Sequence, residues 1–327
     1  MDTEEAGLLA GSLRALFADG TADVPARLTE FGWDDVVAED AVSATTLLFT
    51  EKGRALSPAA LLDEVVLGAL ARDAGLPGVA GLVCYPHPAS GFRPSATASA
   101  VTGLLLRRPR PDERIVIPVA LNDGGTGLAV GRAGEFAVTP LPSLDDSLGW
   151  HAVAGPARGL RYEKRDEGQG WAAAAAAAHR ALAAEIIGVT SRVLDLAIEH
   201  TSSRRQFGAP IAAFQAVRHR LADGYAALEA SRSLLDASFG AGADSAGVAA
   251  IAAKASAGRA HQVASAGAVQ VCGAMGATLE HSLHRYVNRG AVLDGLLGSG
   301  ADLAVELGST VRAAVNSTGQ LPLVVEV

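Results

Sequence analysis

Cysteine, lysine and uninterrupted apolar runs are scarce in this sequence, and each scarcity removes a class of explanation. Two cysteines occur in 327 residues, Cys84 and Cys272. They lie far apart and form no metal-ligand spacing, so a reducing cytosol is the expected home. Lysine appears only as Lys52, Lys164 and Lys254, and the formal net charge is -8. That balance argues against a nucleic-acid surface, which needs clustered cations. The one basic cluster, Arg107-Arg108-Pro109-Arg110 to Arg114, is interrupted by proline and acid and reads as a solvated loop. The opening Met1-Asp2-Thr3-Glu4-Glu5 is acidic where a signal peptide is basic. No uncharged apolar run reaches spanning length; the alanine run Ala172–Ala178 is cut by His179 and Arg180. The expectation is a chain bound to neither membrane nor nucleic acid.

What is present is a 49% hydrophobic composition, suited to a well-buried globular protein of two or three packed units. Leu9, Leu13, Leu16 and Phe17 recur at helical spacing after an Asp2-x-x-Glu5 start. Ser57 and Pro58 announce a second helix that carries Leu61, Leu62, Val65, Val66 and Leu70 inward and stops at Gly75 and Pro77. The period then changes. Ile115–Val119, Leu128–Val130 and Phe136–Thr139 are short β-prone runs, separated by Asp123-Gly124-Gly125 and by Gly131–Gly134. They read as a small antiparallel sheet that must pack on helices.

From about 168 the pattern is helical again. Leu182, Ile186, Val189, Val193 and Leu196 step by four and three along a long bundle helix. The alanine run is read as its tightly packed start, because alanine has the best helix propensity. Further helices are expected from Val217 through Leu228, Ser245 to Cys272, Thr278 through Leu293 and Ala301 to about Val315. The fold class is therefore mainly α with a small β domain. An N-terminal helical unit (1–80) and an abbreviated antiparallel β unit (81–165) precede a C-terminal antiparallel helical bundle (166–327).

Between the first two bundle helices stands Arg204-Arg205-Gln206-Phe207-Gly208-Ala209-Pro210. Gly208 and Pro210 end the helix there, and a guanidinium at such a turn offers a planar donor fork for phosphate oxygens. A helix C-terminus with an arginine complementing its dipole accounts for the same residues. A second string, Gln270-Val271-Cys272-Gly273-Ala274-Met275-Gly276, follows one helical hairpin later.

Together these strings resemble the acyl-CoA dehydrogenase family, with its Arg-x-Gln-Phe-Gly and Gln-x-x-Gly-Gly-x-Gly motifs. Phe214-Gln215, Leu221-Ala222-Asp223, Thr278, Glu280 and His284-Arg285-Tyr286 fit the same pattern. The resemblance implies FAD-dependent α,β-dehydrogenation of an acyl-CoA thioester, with both motifs reaching across a subunit interface to the FAD of a neighbour. It implies that Arg204, Gln206 and Phe207 contact the pyrophosphate region, and that Gln270, Gly273 and Gly276 admit the adenosine portion. Ala274 departs from the second motif's middle glycine. For Gly273 and Gly276, a helix C-cap and turn explain the same residues.

The chemistry also needs a carboxylate within reach of the α proton. The two places where the family carries it fall here on Leu297 and Ala178. The Thr-Glu-Pro-x-x-Gly-Ser-Asp type loop that holds the flavin ring is not found between 75 and 160. The resemblance is therefore to the shortened, non-catalytic subunit of heteromeric α2β2 actinobacterial acyl-CoA dehydrogenases of steroid degradation. A full-length catalytic acyl-CoA dehydrogenase subunit is the implied partner. The alternatives are a self-sufficient dehydrogenase with an unusual base such as Asp294, or a flavin-free scaffold. Glu163, Asp166 and Glu167 precede the first bundle helix, where carboxylates favour its dipole. His281 and His284 are a possible ligand pair without a third ligand. His219, His261, Trp33, Trp150 and Trp171 read as packing residues.

Overall fold

The computed structural model describes residues 1–19, 23–73, 80–88, 94–121, 125–158, 160–164, 169–242, 245–278 and 281–319. Gly75, Pro77, Asp123, Gly124, Asp166, Glu167 and Glu280 lie outside the described residues.

The chain begins with helices α1 (Thr3–Ala18), α2 (Val24–Glu30), α3 (Trp33–Glu39), α4 (Ala41–Ala55) and α5 (Leu62–Asp73). Asp2 caps α1 by accepting from the Glu5 amide at 2.9 Å, and Leu13, Leu16 and Phe17 are buried as their spacing requires. Asp40 caps α4 in the same way through the Ser43 amide. Helix α5 starts at Leu62, four residues later than the Ser57-Pro58 signal implies. The Ser57 carbonyl, which would accept the first bond of a helix begun there, instead accepts from Arg289 Nη1 at 3.2 Å. A tertiary contact has overridden a local start signal.

Eight strands follow among the described residues: β1 (Leu82–Val83), β2 (Tyr85–Pro86), β3 (Ala100–Leu105), β4 (Arg114–Ala120), β5 (Thr126–Arg132), β6 (Ala137–Pro140), β7 (His151–Pro156) and β8 (Arg161–Lys164). They form two four-stranded sheets, ordered β1-β4-β5-β8 and β2-β3-β7-β6. All pairings among them are antiparallel except β1 with β4. The three β-prone runs of the sequence lie in β4, β5 and at β6. The remaining strands have alanine- and glycine-rich or very short sequences that carry little β signal. Leu82, Val101, Ile115, Ile117, Ala129 and Val153 close a core of their own between the strands.

The bundle is built on α6 (Gln169–Ser203), followed by α7 (Gln215–Phe239), α8 (Ala246–Cys272), α9 (Leu283–Gly295) and α10 (Gly300–Thr318). Leu182, Ile186, Val189 and Val193 of α6 are fully buried against α4, α5 and the other bundle helices. Helix α9 begins at Leu283 and not near Thr278, because 273–277 form a tight 3-10 turn. Small residues set the helix spacing. A Cβ on Gly53 would lie 2.2 Å from the Glu185 carbonyl oxygen, and one on Gly188 2.0 Å from that of Thr50. The backbones of α4 and α6 therefore touch, and only glycine fits at either position. Trp33, Trp150 and Trp171 are buried in the main core, as packing residues are. No helix among the described residues is long and apolar enough to cross a membrane.

Candidate cofactor-contact site

Helix α6 ends at Ser203, and the Arg204 amide closes its last turn on the His200 carbonyl at 2.9 Å. A minimal hairpin follows, β9 (Arg205–Gln206) paired with β10 (Ala209–Pro210). Its two corner residues, Phe207 at φ 53° and Gly208 at φ 82°, both have left-handed backbones. This is the turn that usually takes Asn-Gly or Gly-Gly. Phenylalanine there carries a strain of about 1–2 kcal/mol. Its ring is 94% exposed, touching Phe214 edge-to-face with centroids 6.1 Å apart. Gln206 Nε2 donates to the Arg205 carbonyl at 2.9 Å, and Arg205 donates to the Gly208 carbonyl at 3.1 Å. The Arg204 side chain is exposed and makes no ion pair among the described residues.

The second motif closes α8. Gln270 is exposed on the last turn, and Gly273 leaves the helix at φ 62°, ψ -150°, a conformation essentially reserved for glycine. Nothing lies within 4 Å of the place its Cβ would occupy, so its backbone is open to approach. Gly276 differs. It is buried, and a Cβ there would meet Cys272 Cβ at 2.7 Å and Leu283 Cδ2 at 3.1 Å. Packing accounts for that glycine. Ala274 is exposed.

The structure brings the two motifs to one end of the bundle. Helices α7 and α8 run antiparallel, with Gly224 against Ala264 and Gly267 against the Arg220 carbonyl. That register carries Gln270 to the first turn of α7, directly after the hairpin. His200 and His281, 5.7 Å apart and edge-to-face, tie the end of α6 to the approach to α9. Burial holds the His200 imidazole below its ordinary value, with the His281 and Arg204 charges acting in the same direction. An exposed, unpaired guanidinium and an open glycine backbone at one end of a bundle are groups suited to phosphate oxygens.

The base positions have a different character. Ala178 and Leu297 are both buried in the main core. His179 joins them, its Nε2 donating to the Leu297 carbonyl at 3.0 Å, and burial pushes its pKa down to about 4. Lys254, itself buried, donates to the Asp294 and Gly298 carbonyls at 2.8 and 2.5 Å. Asp294 is buried, and its Oδ1 accepts from the Gly300 amide at 3.0 Å, at the start of α10, whose N-cap is Ser299. Leu297 itself sits at φ 58° in this clamped turn. With about 1.5 Å of rise per residue, Ala178 and Arg204 are roughly 39 Å apart along α6, so they cannot serve one reacting atom.

Other candidates resolve into structure. His261 is buried and bonded to Thr190, Ser265 and the Val287 carbonyl. His284 Nδ1 donates to the His281 carbonyl at 2.7 Å, and His281 Nδ1 accepts from the Leu283 amide, so the pair shapes a turn. His219 is exposed, with a 3.4 Å contact to Gln215. Among the described residues no cluster of three or more His, Cys, Asp or Glu could hold a metal.

Sequence reasoning missed a buried charge network where the three units meet. Lys52 pairs with Glu185, and Arg289 pairs with Asp145 while donating to Ser147 Oγ at 3.0 Å and to the Ser57 carbonyl. Beside it lies a cavity of about 20 Å³, lined by Lys52, Glu185, Trp150, Leu182 and Leu296 among others. That is room for a single water and not for an acyl chain. The available signal was a charged residue on the core face of a helix, at Glu185 among Leu182, Ile186 and Val189.

Known proteins match along the same lines. The family description "Acyl-CoA dehydrogenase, C-terminal domain" matches residues 166–300. Acyl-CoA dehydrogenase IpdE2 of Mycobacterium tuberculosis is 30% identical over 250 residues, covering 74% of this chain and 70% of that protein. Acyl-CoA dehydrogenase FadE34 of the same organism is 39% identical over 121 residues, 36% of this chain and 17% of its own length. A variant of the Tcur3481-Tcur3483 steroid ACAD superposes with a TM-score of 0.72 at 22% identity, covering 96% of this chain and 99% of that one. The ChsE4-ChsE5 complex from Mycobacterium tuberculosis gives a TM-score of 0.65 at 21% identity, over 95% and 98% of the two chains. At those identities the structures establish a shared fold; the IpdE2 match, with the domain match and the two motifs, establishes that this chain belongs to the acyl-CoA dehydrogenase family.

Proposed function

We propose that this chain is a non-catalytic subunit of a heteromeric, FAD-dependent acyl-CoA dehydrogenase, and that it completes the cofactor site of a full-length partner in an α2β2 assembly. One contrast carries the reading. Arg204 and the Gly273 backbone stand open and unpaired, whereas Ala178 and Leu297 are apolar groups packed in the core. Arg204, Gln206 and Phe207 would face the diphosphate, with Gln270 and Gly273 beside the adenosine. Gly276 would act indirectly, by letting the turn fold. When bound between the chains, FAD supplies the hydride acceptor for α,β-dehydrogenation. This chain's own residues bind and orient its dinucleotide tail; the carboxylate that takes the α proton comes from the partner.

The relatives extend the reading to a substrate class. One structural neighbour is a steroid ACAD and another is a two-protein complex, which supports a polycyclic acyl-CoA substrate and a heteromer. The three units, 1–80, 81–165 and 166–327, are taken as its domains. Asp294 as an unusual base is disfavoured, because its side chain is buried and its Oδ1 is held by the Gly300 amide.

The test is co-expression with a full-length acyl-CoA dehydrogenase encoded beside it. The expected product is a yellow complex with about one flavin per unlike pair, colourless when this chain is purified alone. A homo-oligomer of this chain carrying a full flavin complement and reduced by an acyl-CoA would overturn the reading.

A further inference from the structure

The basic cluster Arg107-Arg108-Pro109-Arg110 is solvated, as its sequence implies, but it also walls a cleft in the β unit. Arg107 pairs with Glu113, and the Arg110 amide donates to Glu113 Oε2 at 3.0 Å, so one carboxylate closes the loop. Backbone bonds then pin this loop to the turn after β5. The Ala133 amide donates to the Glu113 carbonyl at 2.9 Å, and the Gly134 amide to the Pro111 carbonyl at 2.8 Å. Arg132 Nη1 adds a bond to the Asp112 carbonyl at 3.0 Å. The cleft so framed has a volume of about 370 Å³, and Arg108, Pro109 and Pro111 line it from the loop.

Its floor is a sheet face. Phe136, Val138 and Pro140 alternate along β6 and the residue before it, and so share one side. His151 of β7 pairs with Pro140 across the ladder, which puts it on that side too. Two glycines fix the Phe136 ring: a Cβ on Gly131 would lie 2.9 Å from it, and one on Gly155 2.8 Å. Gly131 is in β5 and Gly155 in β7, so the ring bridges the two sheets through gaps that only glycine leaves.

The chain carries a net charge of -8, yet among the described residues no carboxylate lines this cleft. The flanking acids are engaged by backbone: Glu113 as described, and Glu135, whose Oε2 accepts from the Arg132 amide at 2.8 Å. The polar side chains that remain in the lining are Arg108 and His151. His151 Nδ1 donates to the Gly149 carbonyl at 2.9 Å, which leaves Nε2 for a ligand.

We infer that this cleft binds a compact apolar ring bearing one acid group, that is, a small cyclic or aromatic carboxylate. Its volume lies at the small end for ligand pockets, and apolar walls with a few polar groups are their usual make-up. The prolines and the sheet floor take the ring, while the Arg108 guanidinium offers its planar fork to the carboxylate. A nucleotide is a poorer match, because its phosphate and sugar call for more donors than Arg108 and His151 supply. Arg204, Gln206, Gln270 and Gly273 do not line the cleft, so the site does not depend on the cofactor reading.

The probe is 2-naphthoate, titrated onto the full chain and followed by its fluorescence. Saturable one-to-one binding is expected with a dissociation constant of about 1 mM or tighter. The uncharged 2-naphthalenemethanol should bind at least about tenfold more weakly, because it offers the guanidinium no charge. Arg108→Gln should weaken naphthoate by at least about the same factor, and Pro140→Trp, which sets a large side chain into the cleft from its rim, should abolish binding. Both positions are exposed, so the thermal midpoints should match the parent's. Arg204→Ala should bind naphthoate as the parent does. Equal affinity for the acid and the alcohol, or parent-like binding in either cleft variant, overturns the inference. Loss of binding in Arg204→Ala would move the anion to the end of the bundle and overturn it as well.

Discussion

Two groups of charges sit in this bundle under opposite conditions. Where the three units meet, Lys52, Glu185, Arg289 and Asp145 are paired, and all but Asp145 are closed off from water. At the other place, the end of α6, Arg204 and its neighbours are exposed and unpaired. The first group is satisfied and therefore structural; nothing is left over for a ligand to take. The second costs little to leave in water and becomes useful only when an anion arrives. Charge in this fold is informative through its partners, and the two places should respond oppositely to the same substitution.

The largest expected effect is at the junction. Replacing Arg289 with Met strands Asp145 and removes two further donated bonds, and should cost about 3–5 kcal/mol in urea unfolding. The same change at Arg204 should move stability by no more than about 0.5 kcal/mol, while weakening flavin retention in the complex. Equal stability losses at both sites would erase the contrast. Next comes the pair Lys52–Glu185. Glu185→Leu alone leaves a buried ammonium, whose pKa burial already lowers against the pull of the Glu185 charge. It should destabilise by several kcal/mol, and adding Lys52→Met should restore at least about half of that loss. A double mutant no better than the single one would mean the pair is not coupled.

The pH profile sharpens the comparison further. Asp63 is buried beside the Tyr85 hydroxyl, which donates to it at 2.9 Å, and burial raises its pKa from 3.8 to about 7. Its protonated form is favoured by folding, so its contribution declines as pH rises from about 4 to 7. His179, lowered from 6.5 to about 4 by burial and by the Lys254 charge, acts in the opposite sense. Its contribution is complete above 6.5 and is lost as pH falls toward 4. The two trends oppose one another between roughly pH 4 and 6.5. Asp63→Asn should uncover the histidine trend, giving a stability slope steeper than the parent's by up to about 1.4 kcal/mol per pH unit. An unchanged slope would show that Asp63 is not held protonated.

A stabilising effect is expected at Phe207. Asparagine tolerates its left-handed backbone, so Phe207→Asn should raise the stability of the isolated chain by about 1 kcal/mol while weakening the complex. A variant that gained stability and bound its partner as well as the parent would remove the functional reason for the strain.

The bundle was legible in the sequence because α6 and α8 announce themselves by period and by alanine, and because both motifs fall at helix ends. What could not be read were features decided by distant residues. Helices α2 to α4 hide behind polar residues, and α4 even turns Glu51 and Lys52 inward. Arg289 reads as a surface residue of a bundle helix until Asp145 and the Ser57 carbonyl are brought to it. Strands β3 and β7 take their identity from pairing with each other, Gly103 facing Val153, and not from their own propensity. At the site, Arg204, Gln270 and Gly273 lie where the motifs suggested an open surface, but Gly276 is needed inside the turn. The left-handed Phe207 has no signature beyond the glycine that follows it.

The backbone contact between α4 and α6 has a mechanical consequence. With Gly53 and Gly188 each pressed on the opposite helix's carbonyl, the crossing point can neither slide nor separate without a clash or a gap. The N-terminal unit is pinned at that point, and α5, which also packs on α6, holds it on a second line. Any opening of the protein needed to admit a partner would begin at the far ends of these helices and leave their crossing still.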